Sequence, residues 1–328
     1  GWVNTTDGEI FICTDATTDE NVWYNVGGGD GDVQPWNFPG TISGYNSGGA
    51  PVTNHIDKFS FSSDSNAVAY SGVLTESRYS SAGHTSATHG YNSGGSTPVK
   101  DTIDKFSFVS EGDATDVGNL TTSRETPAGV TSNTHGYACC GYGVSNTVNI
   151  IDKFSFSSDG DASDVGDATV ASFAPSGQNS TTHGYIAGGR SSGGSNFNVI
   201  DKFSLTSDSN ATDAGDLSGT RAWNTGQSST THGYSSGGAT PTSSTLSNVI
   251  DKFPFASDAN ATDIGDLTQA RYSPAGQSST THGYSSGGYF QSGPKSNVID
   301  KFTFASDANA TDVGDLTINI HYSAGSQY

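Results

Sequence analysis

The sequence is one unit written six times. A Gly-Tyr pair recurs with its tyrosine at Tyr45, Tyr91, Tyr137, Tyr185, Tyr234 and Tyr284, and an Ile-Asp-Lys-Phe block recurs with its aspartate at Asp57, Asp104, Asp152, Asp201, Asp251 and Asp300. From each aspartate to the next tyrosine the chain takes 34 residues once and 33 thereafter, whereas from tyrosine to aspartate it takes between 12 and 17. One stretch of the unit is therefore rigid, and the length variation is confined to one loop. Self-similarity at this period marks a repeat architecture in which every copy is one supersecondary motif.

The fifth copy shows what that motif is. In "NVIDKFPF", Val249, Asp251, Phe253 and Phe255 share one face and Ile250 and Lys252 the other, the period of a β-strand. Both faces carry bulky groups, which suits a sheet packed on two sides. Each copy parses into four short strands joined by turn residues, and no window places apolar side chains at helical spacing. With 43 glycines among 328 residues, the expectation is an all-β fold: a six-bladed β-propeller over residues 33–328, with blades of about 46–50 residues, preceded by a short β segment, residues 1–32. Residues 321–327, "HYSAGSQ", echo residues 271–277, "RYSPAGQ". They are expected to pair in the first blade, replacing or flanking residues 36–42, and so to close the ring and cover an open edge.

Gly237 and Gly238, then residues 248–253, then residues 267–271 ending on Arg271, resemble the kelch repeat. The kelch tryptophan near the fourth strand is replaced by "DVGDL"-type sequence, and the arginine is Ser172 in the third copy and Ile320 in the sixth. The resemblance implies the propeller architecture and assigns no function. Residues 1–32 read as a three-stranded meander with a glycine linker. Their "WVNTTDGEIFICTD" and "NVWYNVGGG" resemble segments of bacteriophage tail-fibre and other virion appendage proteins, and "DKFSFxSDxNATDVGDLT" resembles repeats from marine phages. That resemblance implies a role on the virion exterior, structural or host-contacting, and shows nothing about the partner; a non-enzymatic protein, joined to other virion proteins through residues 1–32 and contacting host surface glycans, is the expectation. A secreted or cell-surface carbohydrate-binding propeller is the alternative reading.

The net charge is −20, and six of the eight lysines occupy one repeated position. No basic stripe is left for nucleic acid or for an anionic membrane surface. No run approaches the ~20 apolar residues of a membrane-spanning helix, and no leader resembles a signal peptide. Methionine is absent, so residue 1 is expected not to be a translation start. Cys139 and Cys140 are adjacent and Cys13 is remote, which predicts small buried thiols at positions where other copies carry serine.

Candidate site residues follow from the repeat. His89, His135, His183, His232 and His282 precede the Gly-Tyr pair, with Ser43 in the first copy. Equivalent groups held apart by symmetry suit an inter-blade hydrogen bond better than a shared metal. Acidic turns such as Asp258, Asn260 and Asp263 read as Asx turns, with calcium as the alternative; no other cofactor is expected. Lys58, Lys105, Lys153, Lys202, Lys252 and Lys301 need anionic partners, for which fourth-strand aspartates such as Asp216, Asp266 and Asp315 are the candidates. No constellation unique to one copy suggests catalysis. Recognition is expected in the variable loops, at Tyr142, Arg190, Phe197, Tyr289, Phe290 and Lys295.

Overall fold

The computed structural model describes residues 2–3, 10–15, 22–25, 40–241, 245–291, 293 and 295–328. The chain separates into two compact units, Gly1–Asn37 and Phe38–Tyr328, a few residues beyond the boundary that the repeat suggests. The first holds a three-stranded antiparallel sheet of Trp2–Val3, Ile10–Asp15 and Val22–Asn25, with the middle segment in the centre.

The second unit is the six-bladed β-propeller. Six four-stranded antiparallel sheets follow one another, and in blades 2 to 6 the strands lie in chain order from the axis outward. The innermost strands of these blades are Ala82–Thr85, Ala128–Thr131, Ser176–Asn179, Thr225–Ser228 and Ala275–Ser278. Blade 1 is built from both ends of the unit: Ala324–Gln327 forms its innermost strand, paired antiparallel with Ser43–Ser47, followed by Ile56–Ser60 and Val68–Ala69. The terminal echo thus takes the innermost place, whereas residues 36–39 lie outside the described residues. Each innermost strand touches those of both neighbouring blades, and the circuit closes.

The core is divided among the six gaps between blades, one apolar cluster per gap. Between blades 5 and 6, Tyr234, Ile250 and Leu267 meet Phe302 and Ala310. The Tyr234 ring lies 4.7 Å from Phe304, stacked, and 5.5 Å from Phe302, tilted. Offset and tilted rings of this kind add about 0.5–1.5 kcal/mol per pair beyond the area they bury. The invariant Gly of the Gly-Tyr pair has a local cause. A Cβ on Gly233 would stand 2.3 Å from the ring of Phe253 on the adjacent strand, and the other five copies repeat the contact with their own phenylalanine.

Two backbone rings hold the axis. Ser80, Thr126, Ala174, Trp223, Ser273 and Tyr322 all adopt left-handed backbone, with φ between 53° and 59°. Each donates its N–H to the carbonyl of its counterpart in the preceding linker at 2.6–3.0 Å, and Ser80 closes the circle onto Tyr322. One layer deeper, Gly83, Gly129, Gly177, Gly226, Gly276 and Gly325 crowd together. A Cβ on any of them would stand 2.0–2.3 Å from the next glycine's carbonyl oxygen. The innermost strands therefore approach as closely as backbone allows, around an axial cavity of about 130 Å³.

Candidate functional site

The strand order puts two kinds of connection on opposite faces of the ring. One face carries the turns from first to second and from third to fourth strand; the other carries the variable loops after the double glycine and the linkers between blades.

On the first face the copies agree. In the turn before each histidine a serine hydroxyl accepts backbone N–H groups, as Ser229 does from His232 at 3.0 Å and Thr231 at 3.3 Å. The imidazole Nδ1 then meets the hydroxyl of the preceding threonine, 2.8 Å for Thr88–His89, Thr134–His135, Thr231–His232 and Thr281–His282 and 2.9 Å for Thr182–His183. The bond is local, within one blade, where the sequence pattern suggests an inter-blade contact. The histidine lies at the start of its strand, too near its own turn to reach across the gap. Partial burial, reinforced by the ammonium of the same blade's lysine, holds all five imidazoles below their ordinary pKa.

The repeat lysines do pair across the gaps, but with other acids than the fourth-strand aspartates. Lys58 meets Glu111 at 2.8 Å, Lys105 meets Asp159 at 2.5 Å and Lys153 meets Asp208 at 2.8 Å. Lys202 and Lys252 take Asp258 and Asp307, and Lys301 closes the circuit onto Asp64. Every partner sits in the acidic turn of the next blade. Of the calcium candidates, Asp258 is thus occupied by Lys202, Asn260 Oδ1 accepts the N–H of Asp216 at 3.1 Å, and Asp263 Oδ1 accepts that of Gly265 at 3.1 Å. The three oxygens serve three different partners, and among the described residues no group of three metal-ligating His, Cys, Asp or Glu side chains forms.

Between the faces run buried ion pairs that the sequence pattern does not suggest. Arg78 pairs with Asp104 at 3.1 Å, Arg124 with Asp152 at 2.7 Å, Arg221 with Asp251 at 2.5 Å, and Arg271 with Asp300. The two copies without arginine solve the problem differently. Asp57 takes His55 Nε2 at 2.8 Å and the Thr317 hydroxyl at 2.6 Å. Among the described residues Asp201 is held by the hydroxyl and N–H of Thr169, at 2.6 and 2.7 Å, and burial raises its carboxyl above its ordinary pKa. Beside Ser172 lies Cys140, with φ of 60°, where the other copies carry the first glycine of the pair. Cys139 does replace serine, but Cys140 replaces glycine and fills space next to the missing arginine. Burial pushes the Cys140 thiol up to about 12, so it is no thiolate at neutral pH.

On the second face the copies diverge. A row of half-buried rings curves around the mouth of the axis. Centroids are 5.6 Å apart for Tyr142–Phe173, 5.4 Å for Phe173–Trp223, 6.2 Å for Trp223–Tyr272, 5.8 Å for Tyr272–Tyr322 and 6.0 Å for Tyr322–Tyr79. Variable-loop residues thicken the row. Tyr289 stands 5.4 Å from Tyr272 and 5.3 Å from His321. The Arg190 guanidinium lies 5.7 Å over Trp223 and donates to Asn196 Oδ1 at 3.0 Å. Phe290 is held against Arg271, 5.8 Å from its guanidinium. Lys295 bridges to Tyr289 through the backbone. Phe197 anchors its loop through backbone bonds to Gly189 and Arg221 at 2.8 and 3.0 Å and, among the described residues, joins no ring pair.

Tyr142, Arg190 and Tyr289 are thus brought to one row, while Phe173, Trp223, Tyr272, Tyr322 and Tyr79 are site residues the loop argument misses. The signal was present in the linkers: "RYS", "SFA", "RAW", "RYS" and "IHY" each carry an aromatic at the second or third position. No protein-family model matches the chain, and no curated protein matches it by sequence.

Proposed function

We propose that the chain is a non-enzymatic recognition module: a kelch-like propeller of the bacteriophage tail-fibre kind, set on the virion exterior, that contacts a host surface through its loop face. Residues 1–32 join it to other virion proteins. The observation that carries this reading is the asymmetry between faces. One face repeats the same Ser-Thr-His turn in five copies and the lysine ion pair in all six, as a scaffold requires. The other concentrates the differences among copies, together with the ring row from Tyr142 to Tyr79. Loops displayed on a rigid framework are where binding specificity evolves without loss of the fold.

The same row supports a second reading, a secreted or cell-surface carbohydrate-binding propeller outside any virus. Half-exposed aromatic faces bordered by serine and asparagine stack on sugar rings in either setting.

Two measurements test the proposal. Fluorescently labelled full chain is added to a panel of whole bacteria and read by flow cytometry; binding to some strains and not others is expected, and uniform absence of binding contradicts a recognition role. Immunogold labelling of the source particles separates the two settings: gold at a fixed virion position supports the appendage, and gold confined to cell surfaces or medium supports the alternative.

A further inference from the structure

The cations of this acidic chain are almost all spoken for. The six repeat lysines, Lys100 and the four blade arginines make ion pairs, eleven of the thirteen basic side chains. Among the described residues, the two without a carboxylate in reach are Arg190 and Lys295. Both stand in variable loops, and both stand on the aromatic row.

Their placement is ordered. Arg190 covers the Trp223 ring, Trp223 leads at 6.2 Å to Tyr272, Tyr272 leads at 5.4 Å to Tyr289, and Tyr289 bridges to Lys295. The stretch of the row from Trp223 to Tyr289 thus carries a guanidinium over its first ring and a lysine on the segment beside its last. A net charge of −20 repels polyanions in general, so two unpaired cations here cost solubility nothing and offer one place where an anion is attracted. Arg190 is also oriented: Asn196 accepts from its Nη1 at 3.0 Å, and Asn196 Nδ2 donates in turn to the Ala239 carbonyl at 2.8 Å. An arginine placed over an indole and tied at one Nη keeps its remaining N–H groups for paired hydrogen bonds to a carboxylate or sulfate.

We propose that this row binds an anionic glycan, its sugar faces over Trp223, Tyr272 and Tyr289 and its carboxylate or sulfate groups at Arg190 and Lys295. The inference rests on the recognition reading above and specifies its ligand class. Large exposed apolar side chains do not mark this face for a protein partner, because they are divided between the two faces, Val52, Val144 and Ile318 on this one and Val68 and Val109 on the other.

The test uses the full chain and four polymers in affinity electrophoresis: polygalacturonate, dextran sulfate, neutral dextran and poly-glutamate. Retention by polygalacturonate or dextran sulfate is expected, with none by dextran, and the polymer that binds identifies carboxylate or sulfate as the recognised group. The double variant Arg190→Gln/Lys295→Gln is expected to bind at least tenfold more weakly. So is Trp223→Ser, which keeps the backbone because Ser80 and Ser273 adopt the same left-handed conformation. Thermal midpoints of the variants show whether the fold is intact. Equal retention by dextran overturns the anionic requirement and leaves the recognition reading standing. Equal retention by poly-glutamate overturns the glycan. Retention by no anionic polymer, or retention that the variants leave unchanged, overturns the inference, while the cell-binding experiment decides the broader reading independently.

Discussion

The Cα of Gly83 faces the carbonyl oxygen of Gly325 so closely that a Cβ would stand 2.1 Å from it. Gly325 reaches blade 1 from the end of the chain, so this contact lies on the seam of the ring, and the same contact recurs at every other blade. Gly226→Ala is predicted to destabilise by about 3 kcal/mol or more, at the upper end of ordinary overpacking, because the atom in the way, Gly177 O at 2.0 Å, is backbone. Gly219→Ala, where nothing lies within 4 Å, is predicted to be neutral or to stabilise by up to about 1 kcal/mol. Urea unfolding of both variants checks the contrast.

Removing residues 324–328 deletes the innermost strand of blade 1 and exposes the edge of Ser43–Ser47. An open edge beside an open ring invites chain-to-chain pairing. The truncated chain is predicted to lose its thermal midpoint by many degrees and to elute as aggregate in size-exclusion chromatography, whereas a monomer of unchanged midpoint contradicts closure by this strand.

The two sets of ion pairs have different worth. The carboxylate of Asp307 is 58% exposed, and so its pair with Lys252 is a surface pair; Lys252→Met is predicted to cost less than about 1 kcal/mol. Both partners of Arg271–Asp300 are fully buried. Arg271→Met leaves a buried carboxylate without its counter-charge and is predicted to cost about 3–5 kcal/mol. Chemical denaturation of the two variants at one pH measures the difference.

Stability is predicted to fall as the solution is acidified from neutrality. Burial lowers the pKa of His84 to about 4, and lowers those of the five turn histidines and of His321. Each binds its proton more weakly folded than unfolded, so unfolding takes up protons. The contribution is therefore complete above the unfolded value, about 6.5, and is lost as pH falls through the folded values. Burial raises the carboxyls of Asp104 and Asp201, which act in the opposite sense; their contribution is complete below about 3.9 and is lost as pH rises through their folded values. Between about 6.5 and the folded value of His84, about 4, the histidine contribution is the one lost as pH falls. Urea midpoints at pH 7.5 and 5.0 are expected to differ in favour of the higher pH. His84→Gln, the residue carried by three other copies as Gln178, Gln227 and Gln277, is expected to narrow the gap.

Blade number, strand order and closure were legible because each rests on spacing, and spacing survives in a single sequence. The partners of the lysines were not. Lys252 and Asp307 are 55 positions apart and belong to consecutive copies, whereas reasoning within one copy reaches first for Asp266. The aromatic row was hidden for a related reason. Its side chain slides between neighbouring columns, Tyr272 in one copy and Trp223 or Tyr322 in others, so no column reads as aromatic. Left-handed backbone at the second of those columns brings Trp223 and Tyr322 to the axial mouth, where Tyr272 of the first column meets both rings. Cys140 shows the limit most sharply, since a substitution of glycine makes sense only once the arginine missing at Ser172 is seen beside it.

The central claim is that binding belongs to the loop face and that the opposite face is scaffold. Backbone hydrogen exchange of the full chain, alone and saturated with whichever of polygalacturonate or dextran sulfate retains it, tests this directly. Slowed exchange is predicted in residues 142–147, 190–197, 222–224 and 289–291, with the acidic turns at 62–66, 157–162 and 256–261 unchanged. Protection centred on the acidic turns, with the loop face unaffected, would contradict the account.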